Sequence, residues 1–247
     1  MDVQPEIDPR SPVPFRGRWS TEHCRRLDQL LAANFGLSGL ILMENAGLLA
    51  ALSIERSVED EGLRGPITVV CGGGNNGGDG YVVARQLAVR GHVVRLASTV
   101  PTDRLAGDAL VNRRAWDALG HGTTDVPDAA ALLSALDAWG ESACFVDAVL
   151  GTGFAGPVRA TLAEVLALLD AQAAPSFALD VPSGIDADRG EPWNVAWRAA
   201  RTLTFAARKI GFDAPGCAAW TGPVECVPIG APAAAYELVE SGLRDVQ

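Results

Sequence analysis

The chain has 247 residues and a formal net charge of −10, because 30 acidic residues outnumber 20 basic ones. Hydrophobic residues make up 48% and charged residues 20%, which is enough apolar sequence for one α/β domain with a full core. The acidic balance excludes a broad surface for nucleic acid or anionic membrane, since such surfaces need stripes of basic residues. Lys209 is the sole lysine, which also excludes a lysine-rich phosphate clamp.

The cysteines and the N-terminal segment bear on the cellular compartment. The five cysteines are an odd number without CxxC spacing, which is typical of reduced thiols. Residues 1–18 are Pro-rich and polar, lack the apolar stretch of a signal peptide, and predict a flexible arm. No apolar span of about 18 residues or more occurs elsewhere. We therefore expect a soluble, cytoplasmic protein that does not enter a membrane.

Apolar periodicity predicts two helices after the arm, over residues 20–34 and 40–58. Beyond them, short apolar runs alternate with longer helical patterns. The strand candidates are 67–71, 93–97, 144–146, 177–179, 202–205 and 224–227. The helical patterns between the first four of these strands cover 79–90, 105–119, 129–139 and 157–171.

Strands that alternate with helices of this length predict right-handed βαβ units, and hence a mostly parallel sheet covered by helices on both faces. The last two strands follow with little helix between them, so we expect an antiparallel or mixed far edge. The tail from residue 231 is Ala-rich and predicts a helix. The predicted organisation is an arm over 1–18, one domain over 19–230 and a tail over 231–247.

Three polar, glycine-bearing turns each follow directly on an apolar strand. They are CGGGNNGGDG (71–80), VDAVLGTGFAGP (146–157) and LDVPSGID (179–186). Because the carboxyl ends of parallel strands lie at one edge of a sheet, these turns are expected to converge. One glycine turn is a weak signal, whereas three at equivalent strand ends predict a site.

The first turn contains a formal G-x-G-x-x-G at Gly72, Gly74 and Gly77. A conventional dinucleotide site also needs an acidic residue about 20 positions later, where this chain has Ala97 and Ser98. No GK[ST] follows, which excludes a Walker-type loop. The pattern therefore disfavours ordinary NAD-dependent redox chemistry and predicts a loop of accessible N–H groups that binds phosphate or another anion.

Two interpretations of Asp79 stay open at this level. It is either the N-cap of the following helix or a group that faces the ligand, and a carboxylate facing the ligand would meet hydroxyl groups rather than phosphate. Asp147 and Asp180 follow apolar strands, where an unpaired carboxylate would be costly to bury. Asn76, Asp147 and Ser183 offer hard oxygen donors suited to an alkali or alkaline-earth cation, although capping of turns by such side chains is the commoner explanation.

Other catalytic arrangements are missing from the sequence. There is no G-x-S-x-G elbow, no HExxH motif and no Cys/His pair in an activating context. Cys71 lies beside the first turn, but a buried thiol explains it better than a nucleophile. Asp180 is the best acid/base candidate, because a carboxyl at a strand end in a cleft can have its pKa tuned by burial and by its neighbours.

At these residues the sequence resembles the NAD(P)H-hydrate epimerase family, also called the YjeF N-terminal domain. The matching segments, in family order, are LMENAG (42–47), CGGGNNGGDGYVVARQLAVRG (71–91), VDAVLGTGFAGPVR (146–159), ALDVPSGIDADRGE (178–191) and TLTFAARKIGF (202–212). The resemblance runs from about residue 19 to 229. It implies a three-layer α/β/α Rossmann-like sandwich, usually dimeric, that interconverts the R and S epimers of hydrated NADH and NADPH.

The resemblance also implies which residues act. Those that bind the hydrated nucleotide are Asn75, Asn76, Gly77, Gly78, Asp79, Gly151, Thr152, Gly153, Phe154, Ala155, Gly156, Pro157 and Asp180. Asn76, Asp147 and Ser183 match the positions that coordinate a potassium ion. The partner domain that often follows in the family, a dehydratase, has no room here, so a separate dehydratase is expected. Many relatives have an Asp before the TxTF strand, where this chain has Ala200 and Arg201.

The expected chemistry inverts C6 of the hydrated nicotinamide ring. The hydroxyl leaves with proton assistance to give an iminium-like cation, and water returns on the other face. Asp180 is the expected general acid/base, and any part played by Lys209 is open. A binding or scaffold protein on the same fold is the main alternative, and loss of Asp180 or of a glycine loop would favour it. A kinase-like transferase is disfavoured because no phosphate-clamping lysine is present.

Overall fold

The computed structural model describes residues 17–242. In that part of the chain the α-helices are α1 (Thr21–Phe35), α2 (Gly39–Asp60), α3 (Asn75–Val89), α4 (Gly107–Ala118), α5 (Ala129–Trp139), α6 (Ala160–Asp170), α7 (Ala218–Thr221) and α8 (Ala233–Glu240). The strands are β1 (Arg18–Trp19), β2 (Ile67–Cys71), β3 (Val94–Ser98), β4 (Thr124–Asp125), β5 (Cys144–Ala148), β6 (Ser176–Leu179), β7 (Arg201–Phe205), β8 (Arg208–Lys209) and β9 (Val224–Val227). None of the described helices combines the length and apolar character that a membrane crossing requires.

Seven strands form one sheet in the order β4-β3-β2-β5-β6-β7-β9, and every neighbouring pair in it is parallel. The predicted antiparallel or mixed far edge is therefore wrong. The chain crosses between β6 and β7, and between β7 and β9, through long irregular segments. The second segment contains only the two-residue strand β8, a 3-10 turn and the four-residue helix α7. Because these crossovers lack a regular helix, apolar periodicity did not reveal them.

The strand order reverses between β2 and β5, because the chain first runs outward to β4 and then returns to the other side of β2. Such a reversal leaves a crevice outside the carboxyl ends of the two central strands. The first and second glycine turns leave the sheet from these two strands. The topology therefore places both turns at the position where ligands bind in doubly wound folds.

Alternate residues of the central strands enter two separate cores. In β2, Val69 and Cys71 pack with α2, α3 and α4, whereas Val70 packs with α5 and α6 on the opposite face. In β5, Val146 and Phe145 divide between the same two cores. This period of two, with both faces covered, gives the predicted three-layer α/β/α architecture.

A third apolar cluster joins α1 and α8 beyond the end of the sheet. Trp19 is 1% exposed, packs on Tyr236 at 5.5 Å between ring centroids, and donates from Nε1 to Glu240 at 2.7 Å. Most of the predicted arm lies outside the described residues. Arg18, its last residue, belongs to the fold, because β1 pairs with β8 and Arg18 bonds to Asp213. The predicted C-terminal tail contributes α8 to this cluster.

Candidate active site at the carboxyl edge of the sheet

A cavity of about 540 Å³ opens at the carboxyl edge of the sheet, and all three glycine-bearing turns contribute to its wall. The first turn supplies Gly73, Gly74, Asn75, Asn76 and Asp79; the second supplies Val149, Leu150, Gly151, Thr152, Gly153 and Phe154; the third supplies Asp180. Helices α1 and α2 and the end of β7 close the other sides. The convergence predicted from the sequence is therefore present in the fold.

The first turn becomes helix sooner than the sequence indicated. Helix α3 begins at Asn75 with Gly74 as its N-cap, so Asp79 lies inside the helix and the N-cap interpretation of Asp79 is wrong. The first amide to find a partner within the helix is that of Gly78, which donates to the Gly74 carbonyl at 3.1 Å. The amides before it are left for a ligand, and the helix dipole there favours an anion.

Glycine is required in this turn because backbone approaches backbone. A Cβ on Gly77 would lie 2.0 Å from the Gly72 carbonyl oxygen, and a Cβ on Gly72 would lie 2.0 Å from the Val149 carbonyl oxygen. A Cβ on Gly78 would likewise come too close to another group, here the thioether side chain of Met43. Gly77 and Gly78 thus hold the loop in place without lining the cavity themselves.

We expect Gly77→Ala to lower the free energy of unfolding by about 1–3 kcal/mol, because the added methyl group overpacks a backbone contact. Gly74→Ala is the matched control, since a Cβ at Gly74 has no atom within 4 Å. Its cost should stay below about 1 kcal/mol, the value of a weaker N-cap. Urea unfolding of both variants measures the difference. Equal losses would show that the close approach at Gly77 relaxes freely.

The side chain of Asp79 is buried at the cavity wall. Burial raises the pKa of its carboxyl well above the ordinary value, and the nearby carboxylates of Asp180 and Asp28 raise it further. The raised pKa favours the protonated carboxyl, which can donate a hydrogen bond. That form suits a contact with a hydroxyl group, which is the ligand chemistry expected of a ligand-facing Asp79 from the sequence.

The second turn places Thr152 against the third. Its backbone N–H and its hydroxyl both donate to Asp180 Oδ2, at 3.0 and 2.8 Å. Ala155, Gly156 and Pro157 follow this contact but do not line the cavity. The expectation that Pro157 starts the next helix is wrong, because α6 begins at Ala160.

Asp147 and Ser183 form a buried pair, and neither residue lines the cavity. The Ser183 hydroxyl donates to Asp147 Oδ1 at 2.5 Å, and the Ser183 amide donates to Oδ2 at 2.7 Å. The Ser183 oxygen also accepts from the Leu150 amide at 2.8 Å, which links the second and third turns. Burial raises the pKa of Asp147 to about 6, although the bonds from Ser183 and Val149 lower it.

Asn76, the third predicted metal ligand, is buried with its amide oxygen and nitrogen both lacking a hydrogen-bond partner among the described residues. Its side chain lies beside Gly151, where a Cβ would be 3.2 Å from the Asn76 amide carbon. A buried amide without partners is costly, so an additional group that binds it would stabilise the turn. Residues 17–242 hold no cluster of three or more His, Cys, Asp or Glu suited to a metal ion. The available donors are thus mixed neutral and acidic oxygens, which fit an alkali cation.

Asp180 follows β6 directly and has a left-handed backbone with φ 64°. Its backbone amide donates to the carbonyl of Leu203 at 2.8 Å, and this bond links Asp180 to the neighbouring strand β7. Its Oδ1 atom lies 2.8 Å from the Lys209 ammonium nitrogen. Burial would raise the pKa of Asp180, but the charge and hydrogen bond of Lys209, with the two bonds from Thr152, outweigh it and lower the pKa. Asp180 is therefore ionised at neutral pH.

The sequence left the placement of Lys209 open. It is 1% exposed, and its ammonium nitrogen lies within 3.1 Å of four acceptors, namely Thr204 Oγ1, the Phe205 and Ala207 carbonyls and Asp180 Oδ1. Burial would lower its pKa, but Asp180 raises it above the ordinary value. The ammonium thus keeps its charge and orients Asp180 in the cavity wall.

The sequence analysis also singled out Cys71 and the residues before the TxTF strand. Cys71 is fully buried and burial raises the pKa of its thiol, which confirms the buried-thiol interpretation. Ala200 and Arg201 lie at the start of β7, so the departure from the family pattern is at the opposite edge of the sheet from the cavity.

Asp28 of α1 also lines the cavity and was missed, because an acid within an amphipathic helix resembles an ordinary surface residue.

The sequence-family model described as YjeF-related protein N-terminus matches residues 39–211 of this chain, which include all three turns. The chain belongs to this family. It is 39% identical over 213 residues to the NAD(P)H-hydrate epimerase of Rhodopirellula baltica, covering 85% of this chain and 83% of that relative. It is 35% identical over 224 residues to the NAD(P)H-hydrate epimerase of Pirellula staleyi, covering 88% and 94%.

Longer members of the family are matched only in part. The chain is 41% identical over 209 residues to the bifunctional NAD(P)H-hydrate repair enzyme Nnr of Pyrobaculum aerophilum, covering 84% of this chain but 40% of that relative. A crystal structure of the yeast protein ynu0 superposes with a TM-score of 0.70 at 24% identity, covering 79% of this chain and 82% of the yeast chain. That likeness supports the same fold.

Proposed function

We propose that this chain is an NAD(P)H-hydrate epimerase, an isomerase that interconverts the R and S epimers of hydrated NADH and NADPH. The observation that carries this proposal is the convergence of the three turns on one cavity, with Asp180 held ionised at its wall by Lys209. The two stand-alone relatives that the chain covers almost completely bear this activity in their names. Neither a glycine loop nor Asp180 is lost, so the scaffold alternative gains no support.

Binding would use the backbone more than charged side chains. The amides at the start of α3 favour the phosphates of the nucleotide, which is the way an acidic chain with one lysine can hold an anion. The carboxyl of Asp79, whose raised pKa favours the protonated form, would donate to a ribose hydroxyl. Gly151, Thr152, Gly153 and Phe154 would then enclose the nicotinamide end near Asp180.

The chemistry would pass through a cationic ring. When the C6–O bond breaks, the ring nitrogen lone pair forms a C=N bond, and the hydroxyl leaves as water once it has received a proton. The ionised Asp180 carboxylate stabilises the cation and takes a proton from the water that adds to C6 on the opposite face. Such proton transfer typically accelerates a reaction by roughly 10²–10⁴-fold.

We propose potassium as the cation of this site, with Asn76, Asp147 and Ser183 as its protein ligands. The partnerless amide oxygen of Asn76 and the oxygens of the Asp147–Ser183 pair fit such an ion. When bound, the ion would supply positive charge that orders the three turns. The residues themselves already link the second turn to the third through the bond from Leu150 to Ser183.

Replacement of potassium by sodium or lithium should weaken binding of the hydrated nucleotide, because a smaller ion distorts the turns when it draws the same ligands together. Asp147→Asn should reproduce the loss even in potassium. Asp137→Asn, an exposed acid on α5, is the control for charge alone. Calorimetric affinity in the three chloride salts measures the effect. Equal affinities in all three would remove the cation from the site.

The assembly and pathway of the protein are part of the same proposal. The exposed apolar side chains of Phe35, Leu40 and Ile41 around the turn from α1 to α2 support a homodimer. A separate NAD(P)H-hydrate dehydratase would act on the same substrates, as the bifunctional names of longer relatives imply for those proteins. The five free thiols support a cytoplasmic location.

The decisive experiment is conversion of purified R hydrate to the S epimer, with potassium present, followed by chiral chromatography. We expect a rate far above that of the same mixture without enzyme. A folded, nucleotide-binding protein that gives no conversion would favour the scaffold function instead.

A further inference from the structure

Helix α1 presents one apolar face to the interior, and that face contains an acid. Cys24, Leu27, Asp28 and Leu31 recur at spacings of three and four residues, which places them on one side of the helix. Leu27 and Leu31 are fully buried. Asp28 lies between them, is exposed, and lines the cavity together with Cys24. Its carboxyl therefore faces the cavity rather than the outer surface of the helix.

The reaction described above needs a proton donor that Asp180 does not provide. Asp180 is ionised, and its two oxygens already accept hydrogen bonds from Lys209 and from both donors of Thr152. The Lys209 ammonium is surrounded by four acceptors within 3.1 Å and retains its proton. Departure of the C6 hydroxyl as water therefore requires another acid in the cavity wall.

We propose, on the basis of the proposed epimerase function, that Asp28 is a further catalytic residue, the acid opposite Asp180. Protonated Asp28 gives its proton to the C6 hydroxyl on one face of the ring, which leaves as water while the ring nitrogen forms the C=N bond. Water then adds to C6 on the other face and gives a proton to Asp180. That proton returns to Asp28 through cavity water, and the reverse conversion uses the two carboxyls in exchanged roles.

The position of Asp28 supports this division of labour. Asp28 comes from the helical wall, whereas Asp180 comes from the edge of the sheet, so the two carboxyls reach the cavity from different layers of the fold. Within residues 17–242, the Asp28 carboxyl has no hydrogen-bond partner that would hold its proton. It is therefore accessible to a bound ring.

The surroundings of Asp28 move the pKa of its carboxyl toward neutral pH. Although Asp28 is exposed to the cavity, enough protein surrounds it that desolvation, together with the charge of Asp180, raises its pKa to about 6, while Lys209 opposes both. Cys24 on the same helix has a thiol pKa raised to about 11 and stays neutral. Asp79 on α3 has a pKa raised well above its ordinary value, which favours its protonated form. A pKa near the working pH suits a group that both gives and regains a proton.

Asp28→Asn tests the assignment. We expect turnover to fall by roughly 10²–10⁴-fold while calorimetric affinity for the hydrated nucleotide changes little. In the wild type, kcat/KM should fall as pH rises through the pKa of Asp28, because the protonated acid is lost; in Asp28→Asn this dependence should be absent. Asp28→Glu should restore part of the turnover. Glu22→Gln, an exposed acid on the same helix, is the control and should leave turnover unchanged.

The outcomes separate this assignment from the proposed function. A wild-type chain without epimerase activity would remove the function itself. An active wild type, together with an Asp28→Asn variant that keeps more than about a tenth of the turnover or keeps the same loss of activity at high pH, would overturn the role of Asp28 alone.

Discussion

Asp180→Asn should lower epimerisation turnover by roughly 10²–10⁴-fold, because the amide cannot accept the proton from the entering water. The substitution preserves the shape of the side chain, and the amide oxygen can still accept from Thr152. The start of α3 and its amides are unchanged, so affinity for the hydrated nucleotide should fall far less than turnover. The test compares the rate of R-to-S conversion by chiral chromatography with calorimetric affinity for the same ligand.

The structure adds a consequence for stability. In Asp180→Asn the buried ammonium of Lys209 keeps its bonds to Thr204, Phe205 and Ala207 but loses its counter-charge. Rates must therefore be measured well below the unfolding temperature of the variant, with circular dichroism confirming the fold. A folded variant that retained more than about a tenth of the wild-type turnover would clear Asp180 of the proton-transfer role.

Lys209→Met should destabilise the protein by about 3–5 kcal/mol near neutral pH, because it leaves the buried Asp180 carboxylate without a counter-charge and with only the two hydrogen bonds from Thr152. The ammonium and its hydrogen bond are the main influences that hold the pKa of Asp180 below its ordinary value of 3.8. Without them, burial raises this pKa above that of the unfolded chain. Urea unfolding near neutral pH measures the expected loss.

The sign of the pH dependence distinguishes a charge effect from a packing effect. In the wild type, the lowered pKa of Asp180 contributes stability that is present above the unfolded value and is lost as pH falls through the folded pKa. In Lys209→Met, the raised pKa reverses this: stability is greatest in acid and is lost as pH rises through the folded pKa. The deficit should therefore shrink at mildly acidic pH.

The double variant Lys209→Met, Asp180→Asn is the matched control, because it removes both charges. Most of the lost stability should return near neutral pH, and the double-mutant cycle gives the coupling between the two residues. A double variant as unstable as Lys209→Met alone would mean that the methylene chain of Lys209 matters for packing and that its charge does not.

The backbone of the site was largely accessible from the sequence. The strand over 67–71 was predicted with the bounds that the structure has, and the strands around it were displaced by two residues at most. Because parallel strands end at one edge, the three glycine turns could be expected to meet without any knowledge of their contacts. Asp180 stood out for the same reason, since a carboxylate directly after an apolar strand needs a partner.

Local geometry that depends on close packing was beyond the sequence pattern. The NNGG segment has poor helix propensity, yet α3 begins at Asn75 because Gly77 allows the helix to approach the backbone of Gly72, and Gly72 in turn approaches the backbone of Val149. The strand over 224–227 was predicted with the bounds of β9, but its parallel direction was not. Its crossover from β7 carries no periodic apolar face that a pattern could detect.

The amino-acid pattern alone predicted the alternation of strands and helices, the single edge at which the polar turns gather, and the residue types available there. These follow from apolar periodicity and chain direction, which are local properties. The folded chain was needed to show that Lys209 lowers the pKa of Asp180, that burial raises the pKa of Asp79, and that Asp28 of α1 lines the same cavity. Ionisation depends on burial and on charges brought together from distant parts of the chain, and no local pattern specifies either.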